Sequence, residues 1–324
     1  MQVKPGKEVL FRSSFHKLHS GVKIRLMQIP KFVDFKTDDG LNLPGLFYSV
    51  EGSKKVLIYL HGNGSSSVFY DEGLCRDLPQ ALGAKGISLL KFNNRGANVI
   101  KRFTVERNGV EERVPFGMAY EKIKDCVFDI DASAAFLQKM GYEEFYLAGA
   151  STGANKICVY DHYKPVNIFK KYVLICGGDD TGIYHDLFGD SKFHKLLAKA
   201  KEKIEKGEGL EIAPETLKIG EVFSYQGFYD IANPDGDYNC FPYSEAFRGM
   251  KISTKPLFRY FEAIKKPSIV IYGENDEYAW GDINKVISTL KKYKPDFDYK
   301  VIKGADHGFT GKQKELAETV TSWL

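Results

Sequence analysis

Ser151 stands in Gly149-Ala150-Ser151-Thr152-Gly153, after the apolar run Phe145-Tyr146-Leu147-Ala148 and before a segment of helical spacing. A serine placed on such a strand-to-helix turn needs small neighbours, because flanking Cβ atoms would strike the strand or the helix. Gly149 and Gly153 meet that demand, with help from Ala150 and Ala154. The hydroxyl would then project above a sheet at a helix N-terminus, where the backbone dipole favours a developing anion. A serine hydroxyl is a poor nucleophile near neutral pH and needs a base. Among the seven histidines, His307 has the suitable setting, the glycine-flanked loop Lys303-Gly304-Ala305-Asp306-His307-Gly308 after the last apolar run. His16, His19, His162, His185 and His194 are read as surface or packing residues.

An imidazole base needs a carboxylate that fixes its tautomer and stabilises its cation. Tyr272-Gly273-Glu274-Asn275-Asp276-Glu277 follows the run Ser268–Tyr272 and opens at the same sheet edge. Asp276 is the expected partner, with Glu274 and Glu277 near enough to compete and Asp306 expected to brace its loop. Acyl transfer also needs donors for an oxyanion. In Leu60-His61-Gly62-Asn63-Gly64 the glycines allow close backbone approach, so the N–H of Asn63 and that of Thr152 form the expected oxyanion hole, with His61 bracing the loop. A dinucleotide-binding reading of Gly-x-Gly here lacks its third glycine, and a phosphate-binding loop lacks Gly-Lys-Ser/Thr.

These groups must be carried by a sheet. Short solid apolar runs at 56–60, 87–92, 145–148, 172–176 and 268–272, with a weaker one at 298–302, suit strands buried on both faces, as in a parallel sheet. Phe32–Phe35 and Leu41–Tyr48 flank the turn Asp38-Asp39-Gly40 as a β-hairpin, and a second small hairpin turns at Asn108-Gly109. Ile123, Val127, Ile130, Ala134 and Leu137 share one helical face that ends near Gly141; helices are also expected at 68–82, 152–163, 283–292 and 312–323. An α/β sheet that begins antiparallel and continues parallel follows from this alternation. Roughly 90 residues separate the runs at 172–176 and 268–272, too many for a single crossover, so a cap subdomain is expected there. The implied division is a core of 1–178 and 262–324 and a cap or lid of 179–261.

Composition narrows the partners. With 46 Lys and Arg against 42 Asp and Glu, the net charge of +4 is too weak and dispersed to imply nucleic acid. No apolar run is long enough to span a bilayer, and residues 1–30, otherwise unassigned, contain no secretory h-region. Five cysteines without a CxxC spacing fit reduced, mostly buried thiols and a cytoplasmic location. No metal-ligand set is evident, and the expected chemistry needs no cofactor.

The order His61-Gly62, Gly149-x-Ser151-x-Gly153, Asp276, Ala305-Asp306-His307-Gly308 resembles the α/β-hydrolase superfamily over about residues 30–324. That resemblance implies an eight-stranded, mostly parallel sheet flanked by helices, a cap after the sixth strand, and a Ser151–Asp276–His307 triad. Phe92-Asn93-Asn94-Arg95-Gly96 is similar to the family's turn after its fourth strand, which lines the site or braces the elbow. The function expected is a serine hydrolase cleaving a small carboxylic ester through an acyl-enzyme, with a peptidase, amidase or thioesterase as the alternative and a non-catalytic binding protein as a third class. A homo-oligomer is compatible with the sequence. If His307 is the base, the rate should rise through about pH 6–7.

The cap admits two readings. Phe223, Tyr225, Phe228, Tyr229, Tyr238, Phe241, Tyr243 and Phe247 form either its own core or the wall of an apolar pocket. The lysine-rich helix around Phe193, Leu196, Leu197, Ala200 and Ile204 is read as a solvated basic face in preference to a membrane-surface element. An amidase would use cap carboxylates to hold a substrate amine, and Glu221, Asp230, Asp235, Asp237 and Glu245 are candidates.

Overall fold

The computed structural model describes residues 29–64, 67–69, 72–107 and 109–324. The expectations for residues 1–28, including His16 and His19, and for the turn residue Asn108, lie outside the described residues.

Strand β1 (Lys31–Lys36) pairs antiparallel with β2 (Asn42–Tyr48), and the chain reverses through Gly40 at φ 91°. Strand β3 (Lys55–Leu60), helix α1 (Glu72–Gly83) and β4 (Ile87–Phe92) follow. A separate antiparallel hairpin of β5 (Lys101–Arg107) and β6 (Val110–Phe116) leads to helix α2 (Cys126–Lys139). Then come β7 (Glu144–Ala150), α3 (Thr152–Tyr163) and β8 (Phe169–Ile175). After a long insertion the chain ends with β9 (Ser268–Gly273), α10 (Ile283–Tyr293), β10 (Asp298–Ile302) and α11 (Gln313–Trp323). The main sheet has eight strands in the order β1-β2-β4-β3-β7-β8-β9-β10, antiparallel at β1–β2–β4 and parallel from β4 onward. This is the α/β-hydrolase architecture.

The apolar runs explain this sheet. Val56, Leu57, Ile58 and Leu60 of β3 are buried, as is all of β4 and all of β9, because helices cover both faces. Each buried Val, Leu, Ile or Phe among them contributes about 1.5–3 kcal/mol of transfer free energy. Helix α2 stops where expected, with Gly141 at φ 89° just past its last turn. The helix expected from residue 68 begins instead at Glu72.

The insertion lies between β8 and β9, the sixth and seventh strands of the main sheet. It consists of α4 (Asp180–Phe188), α5 (Asp190–Glu205), α6 (Pro214–Leu217), α7 (Tyr225–Ala232), α8 (Tyr243–Arg248) and α9 (Arg259–Ala263). Its buried apolar residues run continuously into those of the sheet. Polar ties reinforce the join: the Asn155 amide of α3 donates to Gly178 O at 3.0 Å and to Tyr238 O at 3.2 Å. Tyr272 of β9 donates to Gly177 O at 2.6 Å. Helix α5 buries Phe193, Leu196 and Ala200 against its neighbours, while Lys199 pairs with Glu215 and Lys203 with Glu208 and Glu211. Its lysines are thus partly engaged by acids of the insertion. No helix among the described residues is long and apolar enough to cross a membrane.

Candidate active site

Strand β7 delivers Ser151 to the N-terminus of α3 with φ 54° and ψ −126°, a conformation that side chains other than glycine's rarely adopt. Such a residue costs about 1–3 kcal/mol and persists because its surroundings fix it. Here the Ser151 N–H donates to Ile175 O at 2.8 Å and its carbonyl accepts the Ala154 N–H at 2.8 Å. The glycine requirement is steric. A Cβ on Gly149 would collide with the carbonyl of Gly153, and one on Gly153 with the carbonyl of Leu60. Strand, elbow and β3 therefore touch through backbone alone.

His307 and Asp276 meet at the ends of β10 and β9, two neighbouring parallel strands. The His307 Nδ1 lies 2.9 Å from Asp276 Oδ1, and Asp276 is buried. A carboxylate accepts at Nδ1, which leaves Nε2 as the basic nitrogen. Burial opposes the imidazolium, but Asp276, Glu277 and Asp180 outweigh it, and His307 sits above the ordinary imidazole value. The neighbouring acids, candidates to compete for the histidine, serve its loop instead. Glu274 accepts the Gly304 N–H at 2.8 Å, Glu277 accepts the His307 N–H at 3.0 Å, and Asp306 accepts the Thr310 N–H at 2.7 Å. The Tyr278 ring stands edge-on to the imidazole at 4.7 Å.

The loop after β3 reaches the elbow from the other side. His61 accepts the Asn94 N–H at Nε2 (3.1 Å), so Nδ1 carries the proton and donates to Gly62 O at 2.8 Å. Burial and the nearby Lys156 hold this imidazole neutral, its pKa pushed down to about 3. Asn93 braces the same loop by accepting the Val68 N–H at 2.8 Å and donating to Ser67 Oγ at 3.0 Å. Beneath the elbow, Lys156 of α3 is 1% exposed and pairs with Glu121 at 2.5 Å while donating to Asn94 Oδ1 at 3.0 Å. Arg95 anchors the turn from below on Asp129 at 2.7 Å and Asp39 at 3.0 Å. The turn after β4 thus braces the elbow. Sequence patterning gave no sign of Lys156, which occupies an ordinary helical position.

Ser151, His307, Gly62 and Asn63 line one cavity of about 470 Å³. Thr152 is fully buried at the first position of α3, and its hydroxyl accepts a hydrogen bond from Tyr238 at 3.0 Å. The insertion contributes Asp180, Ile183, Tyr184 and Glu221 to the cavity wall. None of the eight insertion aromatics weighed as a pocket wall lines it; Phe223, Tyr225, Phe228, Tyr238, Phe241 and Tyr243 are instead buried in the core. The pocket-wall reading of that cluster is corrected accordingly: at such density aromatic rings satisfy one another, as in the edge-on contact of Tyr184 and Phe223 at 5.5 Å.

Of the five insertion acids considered for an amine, four are committed elsewhere. Asp230 accepts the Ile123 N–H, Asp235 the Thr254 N–H, Asp237 the hydroxyls of Tyr163 and Tyr260, and Glu245 the Ser253 N–H. Glu221 alone of the five reaches the cavity, joined by Asp180, which patterning did not single out. Burial, then the charge of Asp179, pushes Asp180 up to about 7, and burial raises Glu221.

Among the described residues, two groups of side chains have potential metal-ligand atoms within 4.8 Å of one another: Cys176, Asp276 and His307, and His185, Asp190 and His194. The first is built around the Asp276–His307 hydrogen bond, and the second has two exposed members. Cys126, Cys158, Cys176 and Cys240 are buried and free.

The sheet order and the strand-elbow-helix unit are those of the α/β-hydrolase fold. The family described as a protein of unknown function (DUF1749) matches residues 118–324, and the chain belongs to it. No curated protein matches the sequence. Among solved structures, it is similar to the esterase Pf2001 from Pyrococcus furiosus, with TM-score 0.54 and 18% identity over 93% of this chain and 94% of that one. It is also similar to Est1E from Butyrivibrio proteoclasticus, with TM-score 0.56 and 12% identity over 90% of this chain and 96% of that one. A structure of Est1E with bound ferulic acid aligns with TM-score 0.56 and 14% identity over 89% of this chain and 96% of that one. At these identities the likeness is one of fold.

Proposed function

We propose that the protein is a serine hydrolase that cleaves a small carboxylic ester. The observation that carries this reading is the Asp276–His307 hydrogen bond of 2.9 Å at the rim of a cavity also lined by the strained Ser151. In the proposed reaction His307 Nε2 takes the Ser151 proton as Oγ bonds to the substrate carbonyl carbon. The carbonyl electrons move to oxygen, and the oxyanion accepts hydrogen bonds from the N–H groups of Asn63 and Thr152. Collapse expels the alcohol, which receives the proton from His307, and leaves an acyl-Ser151 ester. Water, deprotonated by the same imidazole, repeats the sequence and releases the acid. Asp276 holds the tautomer and stabilises the imidazolium throughout.

Residues 179–261 act in this scheme as a cap closing the site over a core of 1–178 and 262–324. The fold likeness to esterases, one of which binds ferulic acid, supports a small carboxylic acid as the acyl part. Four buried free thiols support a reducing, cytoplasmic setting. The test is turnover of short-chain p-nitrophenyl esters by the native protein and by Ser151→Ala, with fluorophosphonate labelling in parallel. Loss of about 10⁴-fold or more in kcat, with loss of labelling, is expected; equal turnover by both proteins would remove Ser151 from the reaction.

A further inference from the structure

Asp180 and Glu221 reach the cavity from separate parts of the insertion, Asp180 from the first turn of α4 and Glu221 from the segment before α7. Several other acids of the insertion are occupied. Asp179 accepts the N–H groups of Gly182 and Ser244, Asp186 pairs with Arg248, Glu215 pairs with Lys199, and Asp230, Asp235, Asp237 and Glu245 are bonded as described. Asp180 and Glu221 differ: among the described residues neither side chain forms a salt bridge or a hydrogen bond with another residue. Lys91 also lines the cavity, from β4, with its ammonium 5.1 Å from the Tyr59 ring centroid.

Two carboxylates that face one cavity with no salt-bridge partner between them are electrostatically costly. They repel each other, and each has lost part of its hydration. Both signs of that cost are present, since each acid is held above its ordinary value and desolvation leads in each case. Asp179 and Glu221 add to the cost at Asp180, and His307 offsets part of it. An ammonium group entering here would offset the repulsion and supply three N–H donors, enough for both carboxylates and the hydroxyl of Tyr184 in the same wall.

We propose that Asp180 and Glu221 form a cation subsite, and that the substrate carries an ammonium group close to its scissile carbonyl, as in an amino-acid ester. The inference rests on the reading of Ser151 and His307 as the hydrolytic centre, because their shared cavity sets the ammonium beside the carbonyl.

The matched probes are the p-nitrophenyl esters of alanine and of propionic acid, which differ by the ammonium. The native protein is expected to favour the alanine ester in kcat/KM, and Asp180→Asn and Glu221→Gln each to reduce that preference about tenfold or more. Binding is measured separately on Ser151→Ala protein by calorimetry with alaninamide and propionamide, with tighter binding of alaninamide expected and lost in the carboxylate variants. Thermal denaturation of each variant establishes that it is folded. Turnover of both esters without preference, or a preference unchanged in both variants, overturns the subsite and leaves the hydrolytic reading standing. Carboxylate-dependent binding of alaninamide with no ester turnover does the reverse. Equal binding of the two amides, or of neither, sinks the subsite whatever the kinetics.

Discussion

A Cβ built on Gly62 would lie 2.8 Å from the Ser151 Cβ and 3.4 Å from its Oγ. The loop after β3 therefore packs its bare backbone against the proposed nucleophile, and the next N–H along that loop belongs to Asn63. Gly62→Ala must move the loop, the serine, or both. Displacements of this size near reacting atoms cost about 10²-fold in rate. The expected outcome is a fall of that order in kcat/KM on p-nitrophenyl acetate, with a urea midpoint close to the native one. Full activity in the variant would separate this loop from the oxyanion.

The pH profile follows from the direction of the His307 shift. A base works unprotonated, so the rate rises with pH as His307 loses its proton. Because that pKa is raised, the midpoint is expected above the 6.5 of an unperturbed imidazole. Asp276, Glu277 and Asp180 act on the ring, Tyr278 packs against it, and Asp180 itself titrates at about 7. Asp180→Asn removes one negative charge and moves the midpoint down. Asp276→Asn moves it further and lowers kcat about 10⁴-fold, by freeing the tautomer. Rate measurements from pH 5 to 9 check this, and a native midpoint at or below 6.5 would contradict it.

Stability is concentrated under the elbow. Lys156→Met leaves Glu121 as a buried charge without its cation, and breaking such a pair from one side costs about 3–5 kcal/mol. The double variant Lys156→Met, Glu121→Leu removes both charges and is expected to recover most of that loss. Urea denaturation of the two variants beside the native protein measures the difference. Equal destabilisation in single and double variants would show that the ion pair is not the source.

Much of this molecule was legible because its signals are local. Ile87–Phe92 is a strand in sequence and in space, the hairpin turns at Gly40, and the glycines around Ser151 answer a clash within one strand-turn-helix unit. His307 and Asp276 could be ranked because each follows an apolar run whose end sits at the sheet edge. What escaped depends on contacts between distant segments. Lys156 looks solvent-facing by helical spacing, and its partners Glu121 and Asn94, on separate segments, explain its burial. Asp180 stands one residue from the capping Asp179, and nothing in the sequence says which of the two turns into the cavity. The aromatic cluster was ambiguous for the same reason, since ring density is equal in a core and in a pocket wall.

The three carboxylates that follow β9 have a shared consequence. Asp276 holds the imidazole, Glu277 holds the amide of His307, and Glu274 holds the amide of Gly304, so two loops from adjacent strands are laced at three points. Loosening one of them frees the other. Solvent deuterium should accordingly enter the amides of Gly304 and His307 at one common rate, as a single opening event that also releases the imidazole.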